Sequence, residues 1–187
     1  MESIAETFRE AIVNIASDLV GAPSIKYNSG HPEYGQSPTD GFDCSGFVRY
    51  VLQEAGLSIP DYIGMDGLRR PIRHANEFWD HYGIGVHDEY RQPGDLLFFS
   101  RKGTFPTHVG IVAAAGAFIH APGIAESSVE RSIIEFKEIA SNGMKRQIYK
   151  RNPIGFKSPV VPVVSPTYRY HQRPLAYEPT THRQRAH

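Results

Sequence analysis

Gly41-Phe42-Asp43-Cys44-Ser45-Gly46-Phe47-Val48 holds the single cysteine of the chain. Loop-forming residues lead up to it: Gly30, Pro32, Gly35 and Pro38. An apolar run with helical spacing follows it, made of Phe47, Val48, Val51, Leu52 and Ala55. Gly56 stands where a helix C-terminus would be closed. The pattern predicts a buried helix that begins at or near Cys44. A thiol in that position meets unpaired backbone N–H groups and the positive end of the helix dipole, and both favour the thiolate. The same N–H groups can hold an oxyanion that develops on a substrate carbonyl. Asp43 falls at the N-cap, with its carboxylate turned toward those donors. A lone cysteine is most often a small buried hydrophobe. Here an aspartate, a serine and two glycines flank it, and these are not core residues. They let backbone approach a ligand beside the thiol.

The bulk composition narrows the classes of function. A chain of 187 residues suits one domain with a real core. Lys plus Arg and Asp plus Glu balance at 20 each, so no basic excess argues for nucleic acid or an anionic membrane surface. One cysteine excludes an internal disulfide framework and cysteine-rich zinc sites. No apolar run approaches the ~20 residues of a membrane span. Glu2, Glu6, Arg9, Glu10 and Asp18 interrupt the N-terminal stretch, which does not read as a secretory signal. The expectation is a chain that stays in the cytoplasm, reaches the cell wall or periplasm by a non-classical route, or has had a leader removed.

Outward from Cys44, Ser3 to Leu19 reads as an amphipathic helix with Ile4, Phe8, Ile12, Ile15 and Leu19 on one stripe. Val20 to Asp40 is a loop carrying Tyr27 and Tyr34, either of which can shape a pocket. A helix is predicted from Pro71 to His81, with Pro71 near its first position. His74, His81 and His87 lack metal-ligand spacing and read as surface or satisfied histidines, so no metal or other cofactor is expected. Leu96 to Phe99, Thr107 to Ala114 and Ala117 to Ala121 read as strands joined by short turns. Ser127 to Ile134 and Arg146 to Tyr149 read as two more, with an amphipathic linker around Glu135 to Ala140, and the series implies an antiparallel meander. A domain over residues 1–151 is expected. A Pro-rich tail, partly disordered, is expected over 152–187, with Val160 to Val164 as a possible edge segment.

A nucleophilic thiolate needs a base. His108 is the first candidate and His120 the second, one on each side of the tight turn at Gly116. If Ala114 and Ala117 flank that turn, odd residues face even ones and His120 lies opposite Ile111. That register leaves open whether the two imidazoles share a face, and a bulge would change it. In such a site one histidine accepts the thiol proton and a third group holds its ring in the useful tautomer.

Four segments together resemble the NlpC/P60 cell-wall cysteine peptidases. They are Gly41-Phe42-Asp43-Cys44-Ser45-Gly46-Phe47-Val48, Pro93-Gly94-Asp95-Leu96-Leu97-Phe98-Phe99, Thr107-His108-Val109-Gly110-Ile111-Val112 and Phe118-Ile119-His120-Ala121. Their order and spacing agree, over roughly Ile4 to Arg151. The resemblance implies a papain-like α+β fold, in which the helix bearing the nucleophile packs on a central antiparallel sheet. It implies Cys44 as nucleophile, His108 as base and His120 as the orienting third residue. Tyr27 best matches the family's site tyrosine. Tyr34 is the alternative, because Asn28-Ser29-Gly30 replaces the usual Trp-Gly-Gly. Ser45, and with it Asp43, falls in the substrate-binding set. The implied activity is hydrolysis of an amide in a peptidoglycan stem peptide or muropeptide, with the γ-D-glutamyl bond to a diamino acid suggested. An amidase or acyltransferase on another substrate, a secreted wall-degrading toxin and a non-catalytic binding module are the alternatives. The intact Cys-His-His set weighs against the last.

Overall fold

A computed structural model describes residues 4–27, 33–101, 105–114, 116–124, 126–135, 138–141, 144–147 and 153–160. In chain order the elements are α1 (Ile4–Asp18), β1 (Pro23–Ser24), β2 (Gln36–Ser37), β3 (Gly41–Phe42), α2 (Cys44–Glu54), β4 (Tyr62–Ile63), β5 (Arg69–Arg70), α3 (Ala75–His81) and β6 (Ile84–Val86). There follow β7 (Leu96–Phe99), β8 (His108–Ala114), β9 (Ala117–His120), β10 (Ser127–Ser128), β11 (Glu130–Ile133), β12 (Glu138–Ser141), β13 (Met144–Gln147) and β14 (Gly155–Ser158).

The central sheet has the order β11-β9-β8-β7-β14-β6, and every neighbouring pair in it is antiparallel. The meander expected is therefore present from β7 to β11, but its last expected strand, over Arg146 to Tyr149, overlaps β13, which pairs in a separate two-stranded sheet with β12, a strand in the stretch expected as a linker. All four residues of β7 are buried, as its unbroken apolar run requires. Side chains alternate across a strand. Leu96 and Phe98 join the core beneath the helices, while Leu97 and Phe99 join a second cluster with Val112, Phe118 and Phe156. On the helix side, Ile12 of α1 and Phe47, Val48, Val51 and Leu52 of α2 fill the same core as Val109, Ile111 and Ile119. The helix that starts at Cys44 thus packs across β8 and β9.

The Pro-Gly-Asp turn before β7 also anchors α1. Arg9 Nη1 donates to Asp95 Oδ1 at 2.7 Å, and Arg9 Nη2 donates to Ser158 Oγ at 2.8 Å. Asp95 also accepts the Gln92 N–H at 2.7 Å. Burial pushes the Asp95 carboxyl up, and the Gln92 N–H and the Arg9 guanidinium act against it.

Three boundaries differ from the sequence reading. The third helix starts at Ala75 and not at Pro71, because Glu77 accepts the N–H groups of Arg73 and His74 at 2.7 and 2.8 Å. That capping contact sets His74 as the N-cap and leaves Pro71 outside the helix. The stretch from Ser127 to Ile134 divides into β10 and β11 around the buried Val129, whose backbone bonds to Ala22 and Gly21 across the fold. Finally, β14 sits inside the central sheet between β7 and β6, so packed structure continues past the boundary expected at residue 151. Prolines on either side hid a strand whose Phe156 is buried. Residues 161–187, most of the expected tail, lie outside the described residues.

Candidate active site

The first turn of α2 is held by a buried ion pair. Asp43 is the N-cap, and its Oδ1 accepts the Gly46 N–H at 2.8 Å and the Ser45 hydroxyl at 3.1 Å. Arg73 comes from the segment before α3 and pairs with the Asp43 carboxylate. Its guanidinium also donates to Ser45 Oγ at 3.0 Å and to the Tyr34 carbonyl at 2.8 Å. Asp43 is 2 % exposed and Arg73 8 %. Two buried charges survive in a low-dielectric interior only when paired and hydrogen-bonded in this way. Glycine is required at 46, since a Cβ there would stand 1.8 Å from the Gly35 carbonyl oxygen. That close approach brings β2 against α2 and seats Cys44 as the first residue of the helix.

Cys44 is half-buried and opens into a cavity of about 250 Å³. Tyr27, Ser45 and His74 line one part of it, with Ala75 and Asn76 from the start of α3. Phe105, Pro106 and Thr107 line the rest. The Tyr27 hydroxyl is 3.5 Å from His74 Nε2, and the two rings meet edge to face with centroids 5.0 Å apart. The Arg73 guanidinium lies over the Tyr27 ring at 5.2 Å. Tyr34 is not among the lining residues; its side chain is half exposed, and its carbonyl serves Arg73. The structure therefore favours Tyr27 as the tyrosine of the cleft.

Thr107, on the cavity wall, directly precedes His108, the first residue of β8. His108 Nε2 lies 2.8 Å from His120 Nδ1, and both residues are buried at 2 % exposure. A bulge makes this contact. Ala114 pairs with Ala117 as the turn predicts, but Val112 pairs with Phe118 and Ile111 with Ile119. The extra residue in β8, Ala113, restores even-to-even pairing. His120 consequently faces Gly110 and not Ile111, and a Cβ on Gly110 would lie 3.2 Å from the His120 Cβ. His108 is then the diagonal neighbour of His120 on one face, and the missing side chain at 110 leaves room for the rings to meet edge to face. The hydroxyl of Ser132 and the carboxylate of Glu130 each stand 3.3 Å from His120 Nε2.

Of the six residues picked from sequence, five fall into two groups. Cys44, Ser45 and Tyr27 line the cleft, and His108 and His120 form a buried pair beside its wall. Asp43 does not line it. Its carboxylate is buried beneath the helix start and committed to Gly46, Ser45 and Arg73, so the expected substrate-binding role becomes one of holding the helix. Sequence reasoning missed Arg73 and took His74 for a bystander. Both precede α3, and nothing in apolar periodicity marks a cation destined for burial. Among the described residues, no group of three or more His, Cys, Asp or Glu could hold a metal ion, and no helix is long and apolar enough to cross a membrane.

The NlpC/P60 family model matches residues 30–150. The chain belongs to the NlpC/P60 family. It is 35% identical over 121 residues to the gamma-DL-glutamyl hydrolase of Bacillus subtilis, covering 62% of this chain and 24% of that protein. It is 36% identical over 93 residues to the gamma-D-glutamyl-L-lysine dipeptidyl-peptidase of Bacillus cereus, covering 48% of this chain and 23% of the relative. The crystal structure of an NlpC/P60 family protein from Bacillus cereus superimposes with a TM-score of 0.57 at 25% identity, over 82% of this chain and 40% of that one. The NlpC/P60 fold expected from the four segments is thereby shown, and relatives named hydrolase and peptidase accord with an enzyme. The chain spans about a quarter of the length of these curated relatives.

Proposed function

We propose that this chain is a cysteine peptidase that hydrolyses an amide in peptidoglycan stem peptides, at the bond from γ-D-glutamyl to a diamino acid. The observation that carries the reading is Cys44 at the first residue of α2, open to a cleft whose wall runs into the His108–His120 pair. The relatives named for γ-glutamyl bonds support the choice of amide.

The reaction follows from these groups. His108 takes the thiol proton, and the thiolate of Cys44 attacks the carbonyl carbon. Negative charge passes to the carbonyl oxygen, where backbone N–H groups at the start of α2 receive it. The imidazolium of His108 protonates the leaving amine as the C–N bond breaks, leaving a thioester on Cys44. His108 then removes a proton from water, the resulting hydroxide attacks the thioester, and the acid departs as the thiol is re-formed. The Asp43–Arg73 pair holds the helix start still through these steps. Tyr27 and His74 present polar atoms to the substrate flanking the scissile bond, while Ser45 lines the cleft with its hydroxyl held by Asp43 and Arg73.

Mass spectrometry of purified sacculi digested with the protein tests the reading. The wild type releases fragments with a new γ-D-glutamyl carboxylate and a free diamino acid amine. Cys44→Ala, with an unchanged circular dichroism spectrum, releases none. Cleavage at another bond overturns the specificity, and cleavage by the alanine variant removes Cys44 as the nucleophile.

A further inference from the structure

Within the reaction proposed above, we propose that Glu130, together with Ser132, is a positioning residue that holds His120 in the tautomer protonated on Nε2, and so prepares His108 to act as a base. The inference rests on that reading of Cys44 and His108. It adds two groups on a strand that carries no cleft-lining residue.

The register places them. β11 pairs antiparallel with β9, and Glu130 stands directly opposite His120. Ser132, two residues on, shares its face because side chains alternate along a strand. Arg131 between them turns the other way, with Nη2 3.4 Å from Ser17 Oγ. On the shared face, His120 Nε2 lies 3.3 Å from Glu130 Oε1 and 3.3 Å from Ser132 Oγ. The Ser132 hydroxyl donates to Glu130 Oε1 at 3.3 Å. Its proton is thus directed to the carboxylate, and a lone pair is turned to the imidazole.

Proton counting then selects one arrangement. A neutral imidazole has one N–H and one bare nitrogen. The contact between His108 Nε2 and His120 Nδ1 holds one proton, and either ring can supply it. If His120 supplies it, His108 must carry its own proton on Nδ1. The reaction proposed above assigns the thiol proton to Nδ1, and in this form Nδ1 cannot accept it. If His108 supplies it, Nδ1 of His108 is bare and basic, and His120 must carry its proton on Nε2. The second arrangement needs an acceptor beyond His120 Nε2. An ionised carboxylate accepts only, and a hydroxyl already donating to that carboxylate accepts as well. Both acceptors beyond His120 therefore stabilise the productive arrangement. Once His108 has taken the thiol proton, the Glu130 charge also attracts the cation through the pair. Water damps that effect, because the Glu130 side chain is 53 % exposed.

The test uses the full chain and two readouts. Long-range ¹⁵N–¹H NMR of the histidine side chains reports the tautomer of His120 without any substrate. The wild type shows Nε2–H. The double variant Glu130→Ala/Ser132→Ala shifts His120 toward Nδ1–H and lowers kcat on a muropeptide by about 10-fold at unchanged KM, the loss expected when the acceptors of one hydrogen bond are removed. Glu130→Gln keeps an acceptor oxygen and recovers most of the Glu130→Ala deficit. An Nε2–H signal and a wild-type kcat in the double variant overturn the proposal. So does a Glu130→Gln variant as impaired as Glu130→Ala, since that result assigns the effect to charge and not to the acceptor. The NMR readout is indifferent to whether Cys44 is the nucleophile, so failure of the peptidase reading is distinguishable from failure of this one.

Discussion

Two polar networks flank the start of α2, and they are built differently. The first joins Asp43, Ser45, Arg73 and the Tyr34 carbonyl, and its charged members are buried. The carboxylate and the guanidinium are paired and hydrogen-bonded inside the fold, so this network is closed. The second runs from His108 through His120 to Glu130 and Ser132, starting buried and ending in a half-exposed carboxylate. Its imidazoles can exchange one tautomer for another. The difference separates two tasks. A network that must not move is closed around a buried charge pair, and a network that must pass a proton is built on imidazoles, which have two tautomers.

Substitutions can break that division, and the largest effect is expected in the second network. His108→Ala removes the base and should lower kcat on a muropeptide by about 10³-fold, some 4 kcal/mol of barrier, with a smaller loss of stability of about 1–2 kcal/mol from the cavity and the unpaired His120 nitrogen. Arg73→Met should act mainly on stability. It leaves the Asp43 carboxylate buried without its cation, at a cost of about 3 kcal/mol by urea unfolding. The loss lies at the low end for such a change because Gly46 and Ser45 still donate to the carboxylate. Equal losses of stability in the two variants would erase the distinction between the networks.

Gly110→Ala probes the crossing point of the histidine pair. The added Cβ meets the Ile119 carbonyl oxygen at 3.0 Å and the His120 Cβ at 3.2 Å. Crowding of this size costs about 1–2 kcal/mol, and it should also reduce kcat by displacing the His120 ring. An unimpaired alanine variant would show that the diagonal arrangement has room to spare.

The smallest effect is expected at Glu77, which belongs to neither network and caps α3 below the cleft. Burial pushes its carboxyl up, but the N–H groups of Arg73 and His74 and the Tyr62 hydroxyl more than offset this, and the group titrates below its ordinary 4.5. A carboxylate lowered in the folded state stabilises the protein above its unfolded pKa. That contribution is lost as pH falls through the folded value. Glu77→Gln should therefore cost about 0.5 kcal/mol at neutral pH, and the difference from wild type should vanish in acid well below 4.5. A deficit that persists in acid would assign the cap to shape and not to charge.

The parts legible in the sequence are those governed by near neighbours along the chain. Apolar spacing after Cys44, the N-cap at Asp43, the buried run of β7 and the turn at Gly116 are each decided within a few residues, and each is where its pattern places it. Cys44 at a helix start and two histidines in one hairpin follow from those alone. Tertiary structure decided the rest, because its causes lie far apart in the chain. Parity counting with a simple turn cannot foresee Ala113 as an extra residue, yet that residue puts both imidazoles on one face. Arg73 looks like a surface cation until Asp43, thirty residues earlier, is buried against it. His74 faces the cleft because Glu77 caps α3 there, and β14 enters the sheet by pairing with β7 and β6, both more than fifty residues earlier in the chain. Local sequence sets which groups are offered; register and long-range pairing, which no short window contains, set which of them meet.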